Sequence, residues 1–473
     1  MFKLKQNNTT VRTELVAGIT TFMAMAYILM VNAGMFSTLG GDALGASYYN
    51  AVYIATALSA VFGTLLIGLL SNLPLAQASG MGLNAFFVYS VCIGMGFTYA
   101  NALVMVLVDG IVFLLLTVTG LRRLIFDAIP KAVKAAIAPG IGLFIAFLGL
   151  QNSGIVVNSD STLVDLHSFN IIFGHTTWAE IMPLLITIAA LIAIGAMSKK
   201  KIKGAVFWGI IGGAVLYYAL GLLTIDGFYA SNVQSKLSLN IIQPFRDFFN
   251  ISFGKVFTEG FNFSPYIAEH GMSNFIVMFL TTMLAFCMVD MFDTLGTLYG
   301  ACRGGNLLVK DEKGEETVPN MDRAMLADAI ATCSGAVCGT STVTTFVESS
   351  AGVAVGGKTG LSAMVTAAMF FIAMFLSPIA SLIPACAYAA ALIYVGILMI
   401  GCVKNIEWND PSCALPAFLT MAMMPFTYNI SYGIAFGLIS YVFIKIFTGK
   451  IKEINVGTWV ITILFALMFF LTR

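Results

Sequence analysis

Charge is what this chain has least of. Asp, Glu, Lys and Arg together make up 10% of its 473 residues, against about 25% in a typical globular domain. A water-soluble surface cannot be assembled from so few charges, so much of the exterior must face lipid. The net charge of +1 indicates neither a nucleic-acid-binding patch nor an acidic tail. Histidine is nearly missing: His167, His175 and His270 fall between apolar runs, which leaves no metal cluster. The eight cysteines contain no C-x-x-C pair and mostly lie in apolar runs, where they read as small buried hydrophobes. No metal or cofactor is expected. A small-residue cleavage site is also lacking after Lys3, Lys5 and Arg12, so the first apolar segment is expected to stay in place.

What is abundant is hydrophobicity, at 59% of residues with a mean hydropathy of +0.92. A membrane-crossing helix needs about 20 apolar residues, fewer if it is broken inside the protein. Spans are expected near 15–36, 49–71, 75–96, 98–119, 131–150, 178–197 and 205–223. A second set is expected near 275–298, 323–339, 341–357, 360–377, 384–403, 412–428 and 430–448. The reading is an all-α polytopic membrane protein of fourteen segments. A long connector, 224–274, separates the halves, and the short apolar stretch 456–471 either lies at the interface or adds a span.

Basic residues orient the chain, because cytoplasmic loops carry the excess of Lys and Arg. With the N-terminus inside, 20 of the 24 basic residues fall in cytoplasmic loops. They include Lys3, Arg122, Arg123, Lys131 and Lys134, the run Lys199–Lys203, then Lys313, Arg323, Lys404 and Lys450. Lys236, Arg246, Lys255 and Arg473 are the remainder. The two halves also echo each other. Thr20-Thr21 before Ala24 returns as Thr281-Thr282 before Ala285, and Ile129-Pro130 returns as Ile383-Pro384, at offsets of 261 and 254. An odd number of spans per copy makes these inverted repeats.

Two of the spans are interrupted. The third opens with Leu73-Pro74, then Gln77, Ser79, Gly80, Gly82 and Asn84. The tenth opens with Gly339 and Thr340, then Ser341, Thr342, Thr344, Thr345 and Glu348. Such residues disfavour continuous helix and suit an extended piece leading into a half-helix. Paired interrupted spans point to a transport site at the midplane, where half-helix N-termini offer free N–H donors; helix packing through small residues is the plainer reading.

Acids inside spans are costly and default to function. Asp290 and Asp293 lie at i, i+3 on one helix face, and two such close carboxylates favour keeping one proton between them. Either could instead hydrogen-bond backbone freed by the helix breaks. Asp109 could bond a neighbouring helix, and Asp328 reads as packing or as a pair with Arg323.

At these residues the chain resembles the purine permeases of the nucleobase–cation symporter family, in particular the AzgA-like adenine, guanine and hypoxanthine branch. The resemblance rests on Asp290, Asp293, Thr294, Gly296 and Thr297, on Thr344 to Gly352 around Glu348, and on Gly356-Gly357-Lys358-Thr359-Gly360. Glu14 to Tyr27 and Gly80 to Phe87 add to it, and it runs in order along nearly the whole chain. It implies a core domain of segments 1–4 and 8–11 (15–119 and 275–377) and a gate domain of segments 5–7 and 12–14 (130–223 and 384–448). It further implies that Asp290 and Glu348 contact substrate, that Asn84 and Asp293 shape the site, that a proton is the coupling ion, and that homodimers form through the gate.

The chemistry suits an oxopurine, since guanine offers N1–H and N2–H₂ side by side to one carboxylate. Phe346, Phe22 and Tyr27 are candidates to stack on the ring. Adenine presents a lone pair where hypoxanthine and guanine present a donor, and such a mismatch can cost about 10⁴ in discrimination. Two rival classes are weaker. An anion transporter of the same architecture would set its cargo against Glu348. An intramembrane aspartate hydrolase needs its acids on two helices, whereas Asp290 and Asp293 share one.

Overall fold

The computed structural model describes residue 2 and residues 4–120, 128–172, 174–234, 240–304, 307–310 and 316–471. Lys3, Arg122, Arg123, Lys236, Lys313 and Arg473, which entered the charge argument, lie outside the described residues.

Helix α1 (Val11–Met25) starts where Thr10 accepts a hydrogen bond from the Thr13 N–H, and α2 (Tyr27–Ser37) continues it past a break at Ala26. Helix α3 (Gly41–Leu70) follows. It begins eight residues before the expected span, because its polar first turns are helical without being apolar. Beyond Pro74, β1 (Gln77–Ser79) leads into α4 (Met81–Ala85), which runs on as π-helix through Phe86–Gly94. Helices α5 (Tyr99–Thr119), α6 (Lys131–Asn152), α7 (Trp178–Lys199) and α8 (Ala205–Thr224) complete the first half. The connector holds short helices, among them Ile242–Asp247, Lys255–Thr258 and Ser264–His270.

The second half comprises α9 (Met272–Gly304), α10 (Met321–Cys338), β2 (Val343–Thr345), α11 (Ser349–Ala354) and α12 (Gly360–Met374). It continues through α13 (Ala385–Ile400), α14 (Pro411–Phe426), α15 (Ile430–Phe447) and α16 (Val456–Leu471). Two small hairpins, Val156–Ser159 with Leu163–Leu166 and Val309–Lys310 with Glu316–Thr317, were not anticipated by an all-helical reading.

Among the described residues, eight helical runs are long and apolar enough to cross a membrane, and four further apolar helices are shorter. α10 is long enough but carries Asp322, Arg323 and Asp328, too many charges for an apolar span. Side chains such as Ile192, Val215 and Leu223 are more than 60% exposed on α7 and α8. In a water-soluble protein that exposure would be unfavourable; against lipid it is neutral. The chain is a multi-pass membrane protein.

Packing relies on glycine where backbones meet. α6 crosses α13 at Gly142 and Gly396: a Cβ on Gly142 would stand 2.8 Å from the Gly396 carbonyl oxygen, and one on Gly396 would stand 2.4 Å from that of Gly142. α6 also packs on α14, and α14 on α15, while α3 packs on α2, α10 and α12. Glu14 ties α1 to the start of α12. Its buried carboxylate accepts from the N–H groups of Lys358 and Ser362 and from the Ser362 hydroxyl. α16 packs on α9 and α15, with Phe465 and Met468 fully buried.

Candidate functional site

Strand β1 lies antiparallel to β2, with Gln77 opposite Thr345, Ala78 opposite Thr344 and Ser79 opposite Val343. The pairing extends outward through Gly80 N–H to Thr342 O (3.0 Å) and Phe346 N–H to Ala76 O (3.0 Å). All six strand residues are buried. Backbone so far from water must find partners within the protein, and each interrupted segment supplies the other's. Gly80 permits the approach, since a Cβ there would stand 2.6 Å from Thr344 Cγ2. The chain reaches β2 by leaving α10 at Gly339, whose φ of +95° few other residues tolerate.

A cavity of about 1550 Å³ opens beside this pair. Its inner wall is made by Gly80 to Leu83, Asp293, Phe346, Val347 and Glu348. Met81, Gly82 and Leu83 open α4, so their N–H groups have no intrahelical acceptor. α6 and α13 form the facing wall through residues such as Ile141 and Val395, and the mouth carries Lys131, Lys134, Arg323, Cys402 and Asn405. Glu348 immediately precedes α11 and accepts a 2.6 Å hydrogen bond from the Tyr27 hydroxyl. Asp293 Oδ2 lies 3.5 Å from the Thr344 hydroxyl.

Not every candidate residue reaches this cavity. Asp290, expected as a direct contact, is fully buried behind β2 and accepts from the Thr332 hydroxyl at 3.2 Å. Three residues of helix advance the chain by about 300°, so Asp290 and Asp293 point about 60° apart, enough to put one in the wall and the other behind it. Asn84, also expected to face the cavity, is fully buried. Its side-chain oxygen accepts from the Ser79 and Ser341 hydroxyls, and its amide donates to Ser79 O at 3.3 Å. Of the three proposed stacking residues, Phe346 lines the cavity. Phe22 packs edge-on against Phe370 at 5.2 Å, and Tyr27 is buried in its bond to Glu348. Phe292, passed over between the two aspartates, lines the cavity with Lys134 Nζ 6.0 Å from its ring centre.

Asp328 is not paired with Arg323. It accepts from Gln77 Nε2 (2.9 Å) and from the hydroxyls of Thr294 (2.7 Å) and Thr345 (3.4 Å), and so joins α9, α10 and both strands. Gln77 and Thr294 went unremarked as structural residues because their partners lie 251 and 34 residues away. The only sequence hint was a polar side chain within an apolar run.

Residues 12–436 match the model described as "Permease family". The chain is 38% identical over 478 residues to the guanine/hypoxanthine permease PbuO of Bacillus subtilis, covering 100% of this chain and 99% of that one. It is 36% identical to the adenine permease AdeP of Escherichia coli, covering 99% and 94%. Among solved structures, the transmembrane domain of the cyanobacterium bicarbonate transporter BicA is similar in fold, with a TM-score of 0.61 at 16% identity over 91% of this chain and 98% of that one.

Proposed function

The chain belongs to the permease family, and on that premise we propose that it imports purine nucleobases across the cell membrane by proton symport. The observation that carries the reading is a cavity where two carboxylates, Glu348 and Asp293, meet the free N–H groups of α4 and the ring of Phe346. A purine needs that combination of acceptors, donors and an apolar face. Glu348 is the principal acceptor for purine N–H groups. Its Oε1 accepts from Tyr27, which holds the carboxylate in one orientation. Met81, Gly82 and Leu83 donate to O6 or N7, and Asp293 borders the ring. Asn84 and Asp290 act behind the wall, holding the strand pair rather than touching substrate.

Hypoxanthine and guanine fit this acceptor better than adenine. The relatives named for adenine and for guanine and hypoxanthine stand at near-equal identity, so the preference rests on the hydrogen-bond pattern. A bicarbonate-type cargo, which the shared fold would allow, meets two carboxylates in the cavity and is disfavoured.

Fourteen segments in two inverted repeats, with a core and a gate, are supported by two self-reciprocal contacts. Gly142 meets Gly396 and β1 meets β2, each joining residues from matching places in the two halves. With the N-terminus inside, the basic mouth of the cavity is cytoplasmic and the conformation is inward-facing. Alternating access then moves the core against the gate. The test is uptake of labelled hypoxanthine in cells, competed by a panel of nucleobases with and without an uncoupler. Inhibition by guanine but not uracil, and loss of accumulation with uncoupler, is the expected result. Accumulation indifferent to purines removes the substrate assignment, and indifference to the uncoupler removes the proton.

A further inference from the structure

The cavity is larger than a purine requires. At about 1550 Å³ it exceeds the roughly 300–1,000 Å³ of ordinary small-ligand pockets. A purine held at Glu348 and Phe346 leaves the part nearer the mouth unused, and that part has a chemistry of its own. The inner wall carries the carboxylates of Asp293 and Glu348. One turn beyond Asp293 on α9, the lining residue is the uncharged Thr297. At the mouth stand Lys131, Lys134 and Arg323, with Asp322 the acid among them. The lining thus runs from acidic within to mostly basic at the opening.

The spacing of these groups can be read along α6. Ile141 marks the depth of the inner wall, since a Cβ on Gly82 would stand 2.5 Å from its Cγ2. Lys134 and Lys131 precede Ile141 on the same helix and so lie about 10 and about 15 Å nearer the mouth at 1.5 Å per residue. Lys134 reaches across the cavity, its Nζ 6.0 Å from the ring centre of Phe292, the neighbour of Asp293 on α9. The cytoplasmic excess of basic residues accounts for cations on this side of the membrane, yet not for these positions. Lys131 and Lys134 lie in the first turn of α6, and Arg323 in the first turn of α10. The helix dipole disfavours cations there.

We propose that the cavity binds purine nucleoside monophosphates from the cytoplasm as inhibitors, with the base at Glu348 and the phosphate at Lys131, Lys134 and Arg323. The proposal rests on the reading of the inner wall as a purine site. Inorganic phosphate satisfies the cations but leaves the inner wall empty. A nucleoside fills the inner wall but leaves the cations without a partner of opposite charge. A nucleoside monophosphate does both.

Its 5′-phosphate carries about two negative charges and accepts charge-assisted hydrogen bonds from Lys and Arg. The ribose supplies the length between the two ends and sets its hydroxyls near Thr297. Such a ligand touches α6 on one wall and α9 and α10 on the other, so it holds them apart. It therefore plugs the cavity and is not carried. A reaction that attaches a ribose phosphate to the imported base yields this inhibitor, so accumulated product restrains further entry. No covalent step takes place on the transporter itself.

The experiment measures hypoxanthine exchange in inside-out membrane vesicles, whose cytoplasmic face meets the medium. Inosine 5′-monophosphate, inosine or ribose 5-phosphate is added outside. The monophosphate should halve exchange at about one tenth of the inosine concentration or less, as a charge-assisted contact implies. Ribose 5-phosphate should be weaker than the monophosphate. Lys134→Gln combined with Arg323→Gln should erase the advantage of the monophosphate over inosine while hypoxanthine still exchanges. Equal potency of inosine or of ribose 5-phosphate, or an unchanged advantage in the double variant, overturns the site and leaves the purine assignment intact. A wild type that does not exchange hypoxanthine overturns the purine assignment and the proposal with it. Should the double variant not insert, ionic strength decides on wild type. Between about 0.01 and 1 M salt the screening length falls from about 30 to about 3 Å, so the advantage should shrink several-fold; an advantage indifferent to salt overturns the site.

Discussion

Glu348 sits at the start of a short helix, lines the cavity and is held by a hydrogen bond from Tyr27 to one of its oxygens. Glu348→Gln preserves volume and removes the charge. A hydrogen bond to a charged group contributes about 1.5–3 kcal/mol, so purine uptake per inserted molecule should fall roughly ten- to hundredfold. Uptake kinetics normalised to surface abundance would check this; an unchanged rate and affinity would remove Glu348 from the site. Asp328 makes the opposite case, an acid whose work is structural. In Asp328→Asn, an amide N–H₂ replaces one oxygen and meets donors from Gln77, Thr294 or Thr345. An unsatisfied buried group costs about 1–3 kcal/mol. The variant should melt at lower temperature in detergent, while the surviving fraction keeps its discrimination among purines. Altered purine selectivity without lost stability would contradict that division of labour.

Among the elements, the crossing of α6 and α13 is a tight constraint that composition conceals. Gly142 and Gly396 allow the two backbones to touch, as small residues do in membrane helix pairs generally. Gly142→Leu should cost about 1–3 kcal/mol by overpacking, seen as reduced thermal stability and yield; near wild-type stability would mean the helices part freely. On the side of the molecule away from the cavity, the loop between α14 and α15 places Tyr428 at a φ of +55°. Its hydroxyl bonds to Gln151 of α6, its carbonyl accepts from Ser90 at 2.5 Å, and its ring contacts Tyr89, Phe144 and Phe147. This knot joins the π-helix after α4 to α6 and to the α14–α15 loop. Tyr428→Ala should loosen it, raising access of external thiol reagents to a cysteine introduced at Ile145. No gain in labelling would show that closure on that side does not depend on Tyr428.

At the scale of the whole molecule, the cavity opens toward the end bearing Lys131, Lys134 and Arg323. Cys402 lines it and is exposed. A membrane-impermeant thiol reagent should therefore modify Cys402 in inside-out vesicles and spare it in right-side-out vesicles, as read by peptide mass spectrometry. Equal modification from both sides would overturn the orientation derived from the basic loops.

Much of this protein was legible as a string. Hydropathy alone determines that the chain lives in a membrane, because no arrangement of 10% charged residues covers a soluble surface. The clusters of Pro, Gly, Ser and Thr near 74–84 and 339–350 mark where helices stop, since local backbone preference is a property of neighbours in sequence. Acids within apolar runs identify Asp109, Asp290, Asp293, Asp328 and Glu348 as exceptional, because burial makes each of them costly. What each acid does is another matter. Asp290 and Asp293 differ by three residues, yet one is sealed behind β2 and the other borders the cavity. Asp328 is satisfied by Gln77 from 251 positions away, while the carboxyl oxygens of Asp109 find no oxygen or nitrogen donor among the described residues. Partners of that kind are brought together only when helices from the two halves pack, so the same type of side chain can line a cavity or brace the fold. The tertiary structure decides which, because the free energy of a buried carboxyl depends on the donors around it, and those donors are supplied by distant parts of the chain.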